Sequence, residues 1–240
     1  MNYKAYQDCK FDKAYAMAKT RMDVKSNRLK AGHPHTCTIG CMFDGYAPRL
    51  SAEHYNIYPR GLYTLEALFE GLPTKDEQDQ FHIGYYDAIP IGGDTRRAWH
   101  NYMSQLMLDP KNGMTVHDTS GLAVKVGLLY IRAASGDMPT DSEWAAEARA
   151  GEHTAALTGE ATAWAELTAR LAARTAASAA GSFSKIATAA GMEGRTIEKI
   201  ARLAASAGGA PLGALHKATL LLQNHYRWQR DTLLQCLRDC

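Results

Sequence analysis

Apolar side chains recur every three or four positions along most of this chain, and that period is typical of α-helices with one buried face. In the first such stretch, residues 11–29, one face carries Phe11, Tyr15, Ala18, Met22 and Leu29. Similar spacing predicts helices over residues 51–55, 61–70, 75–88, 95–106, 121–135 and 212–240. No stretch alternates apolar and polar residues with the Val, Ile and Thr content of a strand, so little or no β-sheet is expected.

Capping residues mark where several of these helices begin and end. Thr74 precedes the 75–88 helix, and Thr140 and Glu143 have the spacing of a capping box ahead of a further helix. Gly136 ends the most regular of the predicted helices. The buried stripe predicted for that helix is Leu122, Val126, Leu129, Tyr130 and Ala133.

The composition changes after Trp144. Of the 74 residues from 145 to 218, 26 are alanine, and glycines interrupt them at irregular intervals. Alanine is the best helix former, and its small side chain lets helices approach closely. This stretch is therefore expected to form tightly packed helices separated by glycine turns, with apolar faces at Trp164 and Ile197.

The size of the chain and its helical pattern together predict the fold class. With 240 residues, the chain can bury a core without disulfides or metal ions. The predicted fold is all-α, an irregular multi-helix bundle. It is expected to have an N-terminal helical lobe, residues 1–136, and an alanine-rich helical lobe, residues 137–240, which together form one continuous domain.

Charge and apolar content exclude several classes of protein. The formal net charge is only +2, with no long run of one sign, so nucleic acid is not the expected partner. No window approaches the roughly 18 apolar residues of a membrane span. The first residues lack the apolar core of a secretory signal. Five cysteines are too few for a disulfide scaffold. A cytoplasmic protein that does not contact a membrane is therefore expected.

The densest group of reactive side chains lies in the 33–43 segment, which begins at His33 and ends at Phe43. Two imidazoles and two thiols, those of His33, His35, Cys37 and Cys41, fall within nine residues. Cysteine and histidine are common ligands of Zn²⁺. A site built from these four side chains would therefore favour zinc over iron. Four ligands so close in sequence must bend sharply to meet at one ion, and Pro34 and Gly40 would have to allow that bend.

Two other interpretations of the same segment stay open. In the first, Cys37 and Cys41 lie one helical turn apart and pack as small apolar side chains. In the second, a thiolate acts as a nucleophile with His35 as its base, although no orienting carboxylate or amide can be assigned. The catalytic residues of such an enzyme are therefore unknown.

Three more groups are candidates for chemistry elsewhere in the chain. Cys236 and Cys240 are also four residues apart, and the sequence does not decide whether they approach Cys37 and Cys41. A carboxylate site for a metal or for acid–base chemistry would combine Glu66 and Glu70 with His54 and Asp44. A cluster of aromatics and cations that could stack on bases is His225, Tyr226, Arg227, Trp228, Gln229 and Arg230.

Part of the sequence resembles a bacterial protein family with no known activity. The resemblance rests on the HTCTIGC motif from His35 to Cys41 and on the FEGL box from Phe69 to Leu72, followed by an alanine-rich helical half. It covers about half of the chain by motif and the remainder by composition. The resemblance implies no reaction, cofactor or substrate.

The sequence favours a helical binding or accessory protein that uses the 33–43 segment to bind an unidentified protein or small molecule. The first alternative is a zinc- or thiol-dependent enzyme, or a metal-site protein, built on His33, His35, Cys37 and Cys41. A second alternative is a helical protein that binds nucleic acid through the cluster around Arg227.

Overall fold

Helices form the regular structure of the residues that can be described. The computed structural model describes residues 3–31, 33–116, 118, 120–157 and 212–240. In those residues the α-helices are α1 (Lys13–Lys25), α2 (Thr38–Phe43), α3 (Leu50–Tyr55), α4 (Pro59–Gly71), α5 (Lys75–Ala88), α6 (Thr95–Leu108), α7 (Leu122–Ser135), α8 (Asp141–Leu157) and α9 (Leu212–Arg238), with a short 3-10 helix at Met114–Val116. The described residues contain no strand or sheet, only an isolated bridge between Lys4 and Asp94. The all-α prediction is confirmed.

Several predicted helix boundaries are confirmed at the level of hydrogen bonds. The Thr74 hydroxyl accepts the backbone N–H of Glu77 at 3.2 Å, which caps α5. At the start of α8, the Thr140 hydroxyl accepts the N–H of Glu143 at 3.3 Å. The Glu143 carboxylate accepts the N–H of Thr140 at 2.7 Å, so both halves of the predicted capping box form.

The buried face predicted for the first helix is wrong within α1, although Leu29, which lies beyond the end of that helix, is buried. Tyr15, Ala18 and Met22 are exposed, whereas the buried face of α1 carries Ala16, Met17, Lys19, Thr20 and Asp23. Two of the polar side chains on this face have a charged partner. The Lys19 ammonium lies 3.1 Å from the Asp44 carboxylate, and the Arg28 guanidinium lies 3.0 Å from that of Asp23.

Contacts between Cα atoms divide the chain into two units. Unit 1 comprises Met1–Trp99 and Gly194–Cys240, and unit 2 comprises His100–Glu193. The predicted division after residue 136 stays a prediction, because most of the alanine-rich lobe lies outside the described residues. The helices predicted over residues 158–211, including the faces at Trp164 and Ile197, lie outside the described residues too.

Unit 1 is organised around α5, which packs against α1, α4 and α9. α2 contacts α1 and α4, and α3 contacts α4. The core between these helices is rich in aromatic side chains. Its largest fully buried residues include Tyr55, Leu62, Leu65, Phe69, Phe81, Tyr85 and Tyr86.

In unit 2, α7 packs against α8. The ring centroids of Tyr130 and Trp144 lie 4.8 Å apart at this contact. The stripe predicted for α7 is confirmed at four of its five positions, since Leu122, Val126, Tyr130 and Ala133 are buried and Leu129 is half-buried. No helix in the described part of the chain combines the length and apolar character needed to cross a membrane.

Candidate functional site

The 33–43 segment folds as a tight turn followed by the short helix α2. The N–H groups of Thr36 and Cys37 both donate to the carbonyl oxygen of His33, at 3.1 and 2.8 Å. Cys37 then occupies the N-cap position of α2, where its sulfur accepts the N–H of Gly40 at 3.2 Å. The two histidines therefore lie in a turn, as Pro34 predicts, and the two cysteines lie one helical turn apart.

Gly40 brings α2 directly against the backbone of this turn. A Cβ atom at residue 40 would lie 2.3 Å from the carbonyl oxygen of Pro34 and 2.7 Å from the carbonyl carbon of His35. These neighbours are backbone atoms that cannot rotate away as a side chain can. The close approach fixes the turn against a helix whose six residues are all buried.

Both thiols of the segment are buried and hard to ionise. Burial, together with the nearby Glu66 carboxylate, raises the pKa of Cys37 to about 12. Burial raises the pKa of Cys41 to about 11, with a smaller contribution from Asp23. The Cys41 thiol donates to the carbonyl oxygen of Thr36 at 3.5 Å. Because burial opposes ionisation of both thiols, their environment favours the packing interpretation over a nucleophilic thiolate.

The two imidazoles of the segment are exposed, unlike the thiols. The ring centroids of His33 and His35 lie 6.0 Å apart, and Nδ1 of His33 accepts the N–H of His35 at 3.3 Å. Among the described residues, no group of three or more His, Cys, Asp or Glu side chains is placed to hold a metal ion. The zinc hypothesis for His33, His35, Cys37 and Cys41 thus has no preformed site in that part of the chain, and it stays a prediction.

Glu66 is the neighbour that the sequence did not connect with this segment. It is buried on α4, and its carboxylate accepts the hydroxyl of Thr38 and, at 3.5 Å, the N–H of Ile39. The other members of the predicted carboxylate site have different surroundings. Glu70 is exposed, Asp44 binds Lys19, and the His54 ring packs edge-on against Phe11 at 5.2 Å. Glu66 is buried where α4 contacts α2, and no local sequence pattern reveals that contact.

Burial of Glu66 has a consequence that can be measured as a function of pH. Desolvation raises the pKa of the Glu66 carboxyl group. The folded protein therefore releases this proton at a higher pH than the unfolded chain does, in which a glutamate has a pKa near 4.3. Its contribution to stability is complete below that pH and is lost as the pH rises through the folded-state pKa. We expect Glu66→Gln, which keeps an acceptor for Thr38, to gain stability relative to wild type as the pH rises from 4 towards 8.

Urea unfolding at several pH values measures this difference in the free energy of unfolding. Glu70→Gln removes one exposed carboxylate from the same helix and controls for the change in net charge. A difference between wild type and Glu66→Gln that stays constant with pH, or that shrinks as the pH rises, would contradict the assignment.

The cysteines of α9 lie in a different environment from that of the thiols of the 33–43 segment. The Cys240 thiol donates to the carbonyl oxygen of Leu237 at 3.0 Å, and its sulfur would lie 2.8 Å from a Cβ atom at Gly93. Burial raises the pKa of both Cys236 and Cys240 to about 11. The sequence left open a four-thiolate site in which Cys236 and Cys240 approach Cys37 and Cys41. Among the described residues, no such group is placed to hold a metal ion.

The basic cluster on α9 is engaged in ion pairs. The Arg227 guanidinium lies 2.6 Å from the Glu77 carboxylate of α5, and that of Arg230 lies 2.7 Å from Asp231. The rings of His225 and Trp228 lie 5.3 Å apart and are tilted by 32°. Because both arginines have carboxylate partners, the arrangement does not favour the nucleic-acid alternative.

Comparisons with protein-family models, with curated proteins and with solved structures find no match to this chain. The resemblance to a bacterial family through the HTCTIGC and FEGL motifs therefore stays a prediction.

Proposed function

We propose that this protein is a cytoplasmic helical binding or accessory protein and that the turn of the 33–43 segment is part of its binding surface. The single observation that supports this most is the contrast within the segment. Its first residues, His33, Pro34 and His35, are exposed, whereas every residue from Cys37 to Phe43 is buried. An exposed turn fixed on a buried helix is ordered before it meets a partner, so binding costs less conformational entropy.

The chemistry of the turn fits the recognition of a polar partner. An imidazole donates and accepts hydrogen bonds, and Pro34 restricts the backbone of the turn. Tyr46, a short distance further along the chain, is exposed and adds an aromatic ring with a hydroxyl group. The partner is proposed to be a protein or a small molecule.

The cytoplasmic location is supported by the cysteines. All five are free thiols in the structure. A chain exported to an oxidising compartment tends to pair its cysteines, so five free thiols favour a reducing environment.

Site-directed photo-cross-linking in the native host tests the proposal. A photoreactive amino acid replaces His35 in one variant and Pro110, an exposed proline in another turn, in the matched control. We expect a discrete adduct, identified by mass spectrometry, from position 35 and not from position 110. Competition by excess wild-type protein should suppress it, whereas excess of a His33→Ala variant, which lacks the imidazole that the probe retains, should not.

Absence of an adduct at position 35, or equal competition by both proteins, would contradict a binding role for the turn. Near-stoichiometric zinc in protein purified without an affinity tag would instead support the metal-site alternative.

A further inference from the structure

Helix α7 of unit 2 carries a second apolar face, which is exposed in the part of the chain that the structure describes. Val124, Leu128 and Ile131 are 43%, 51% and 46% exposed. Their spacing of four and three residues places them in one line along the helix. The opposite face of α7 holds the buried stripe that packs in unit 2, so this helix is apolar on two sides.

Single exposed apolar residues are ordinary, but a line of them on one helix is the pattern of a helix–helix contact. Two further exposed apolar residues lie nearby in sequence, Val116 before the helix and Met138 just after it. We use the name α7 face for these exposed apolar residues of the helix and its two flanks: Val116, Val124, Leu128, Ile131 and Met138.

The charges beside the α7 face differ from one end of the helix to the other. Lys125 is exposed near the N-terminal end. At the C-terminal end, Asp137 is 64% exposed, although both of its carboxylate oxygens accept hydrogen bonds from Arg132, from Nε at 2.7 Å and from Nη2 at 3.4 Å. Asp141 is exposed a few residues later. One end of the face is therefore cationic and the other predominantly acidic.

We propose that the α7 face binds the same face of a second copy of this chain, with the two α7 helices antiparallel. A two-fold axis near Ile131 places Val124 of each copy towards Met138 of the other. The same axis brings Lys125 of each copy towards the acidic end of the other helix, so both ends of the contact pair opposite charges. A parallel arrangement would bring like charges together.

The size of the contact sets the strength that is expected. α7 has 14 residues, and a helix of that length is about 21 Å long. Two such helices bury less surface than a permanent dimer needs, so the dimer is weak and depends on protein concentration.

Sedimentation equilibrium of the full chain over a range of concentrations tests the proposal. Wild type should move from the 26.3 kDa monomer towards twice that mass as concentration rises. Leu128→Glu places a charge within the contact, about one helical turn from the two-fold axis, and should raise the dissociation constant roughly tenfold or more. Ile91→Glu is the matched control, because Ile91 is 66% exposed in unit 1, and it should dimerise like wild type.

A charge exchange then distinguishes this arrangement from other contacts. Lys125→Glu and Asp137→Lys should each dimerise less than wild type when alone, and a mixture of the two should form heterodimers. Circular dichroism checks that each variant folds. A wild type that stays monomeric, a Leu128→Glu variant that dimerises normally, or a mixture that associates no better than its components would overturn the proposal.

Discussion

Gly40→Ala should destabilise the protein by about 3 kcal/mol, because its Cβ atom would overlap the backbone of the Pro34–His35 turn. The nearest contact, 2.3 Å to the carbonyl oxygen of Pro34, is far below any van der Waals distance. Relief requires the turn to leave α2 or α2 to leave the core, and either change separates the exposed histidines from their support. For a chain of this size we expect the melting temperature to fall by roughly 10 °C.

His35→Ala is the control for this experiment. It removes an exposed side chain from the same turn but adds no atom to the contact with Gly40. We expect a change within about 0.5 kcal/mol, as is usual for surface positions. If the Gly40→Ala and His35→Ala variants have the same melting temperature, the turn is not held against α2 as described.

Gly71→Ala should loosen the attachment of α9 to unit 1 and cost about 2 kcal/mol. A Cβ atom at residue 71, the last residue of α4, would lie 2.2 Å from Cε1 of Tyr226. The Tyr226 ring is buried and rigid, so it must rotate out of its site or move α9 with it. Hydrogen exchange of α9 peptides should become faster relative to peptides from α7.

Gly84→Ala provides a matched comparison for the same interface. Gly84 lies within α5 and also faces α9, but its Cβ atom would lie 3.8 Å from Cδ1 of Leu234, an ordinary contact. Alanine is the better helix former, so this variant should gain about 0.5–1 kcal/mol. Equal effects of the two substitutions, or protection of α9 unchanged by Gly71→Ala, would show that the Tyr226 contact does not hold the helix.

The sequence predicted those parts of the fold that depend on neighbouring residues. The Thr140–Glu143 capping box and the stripe that begins at Leu122 are local, because each is contained within a few helical turns. The face of α1 was mispredicted for the opposite reason. Asp23 and Lys19 are buried by pairing with Arg28 and Asp44, so burial there depends on partners outside the helix rather than on apolar character.

The same distinction applies to the candidate site. The turn at Pro34 and the separation of Cys37 and Cys41 by one helical turn follow from residue types in one segment. The exposure of the two imidazoles beside the buried thiols cannot be predicted from residue types, because it depends on how α2 packs in the fold. Glu66 was indistinguishable from an ordinary surface glutamate until α4 was placed against α2.

The discontinuity of unit 1 also bears on how the chain acquires its fold during synthesis. Its helices α1 to α5 emerge from the ribosome early, whereas α9, which covers α4 and α5, is translated more than a hundred residues later. Until then the apolar surface of α4 and α5 that will meet α9 faces solvent and is open to aggregation or to chaperones. The residues between the two parts of unit 1 act as an insertion. Bringing the two parts together costs chain entropy, and this step must precede the final packing of Tyr226 on Gly71.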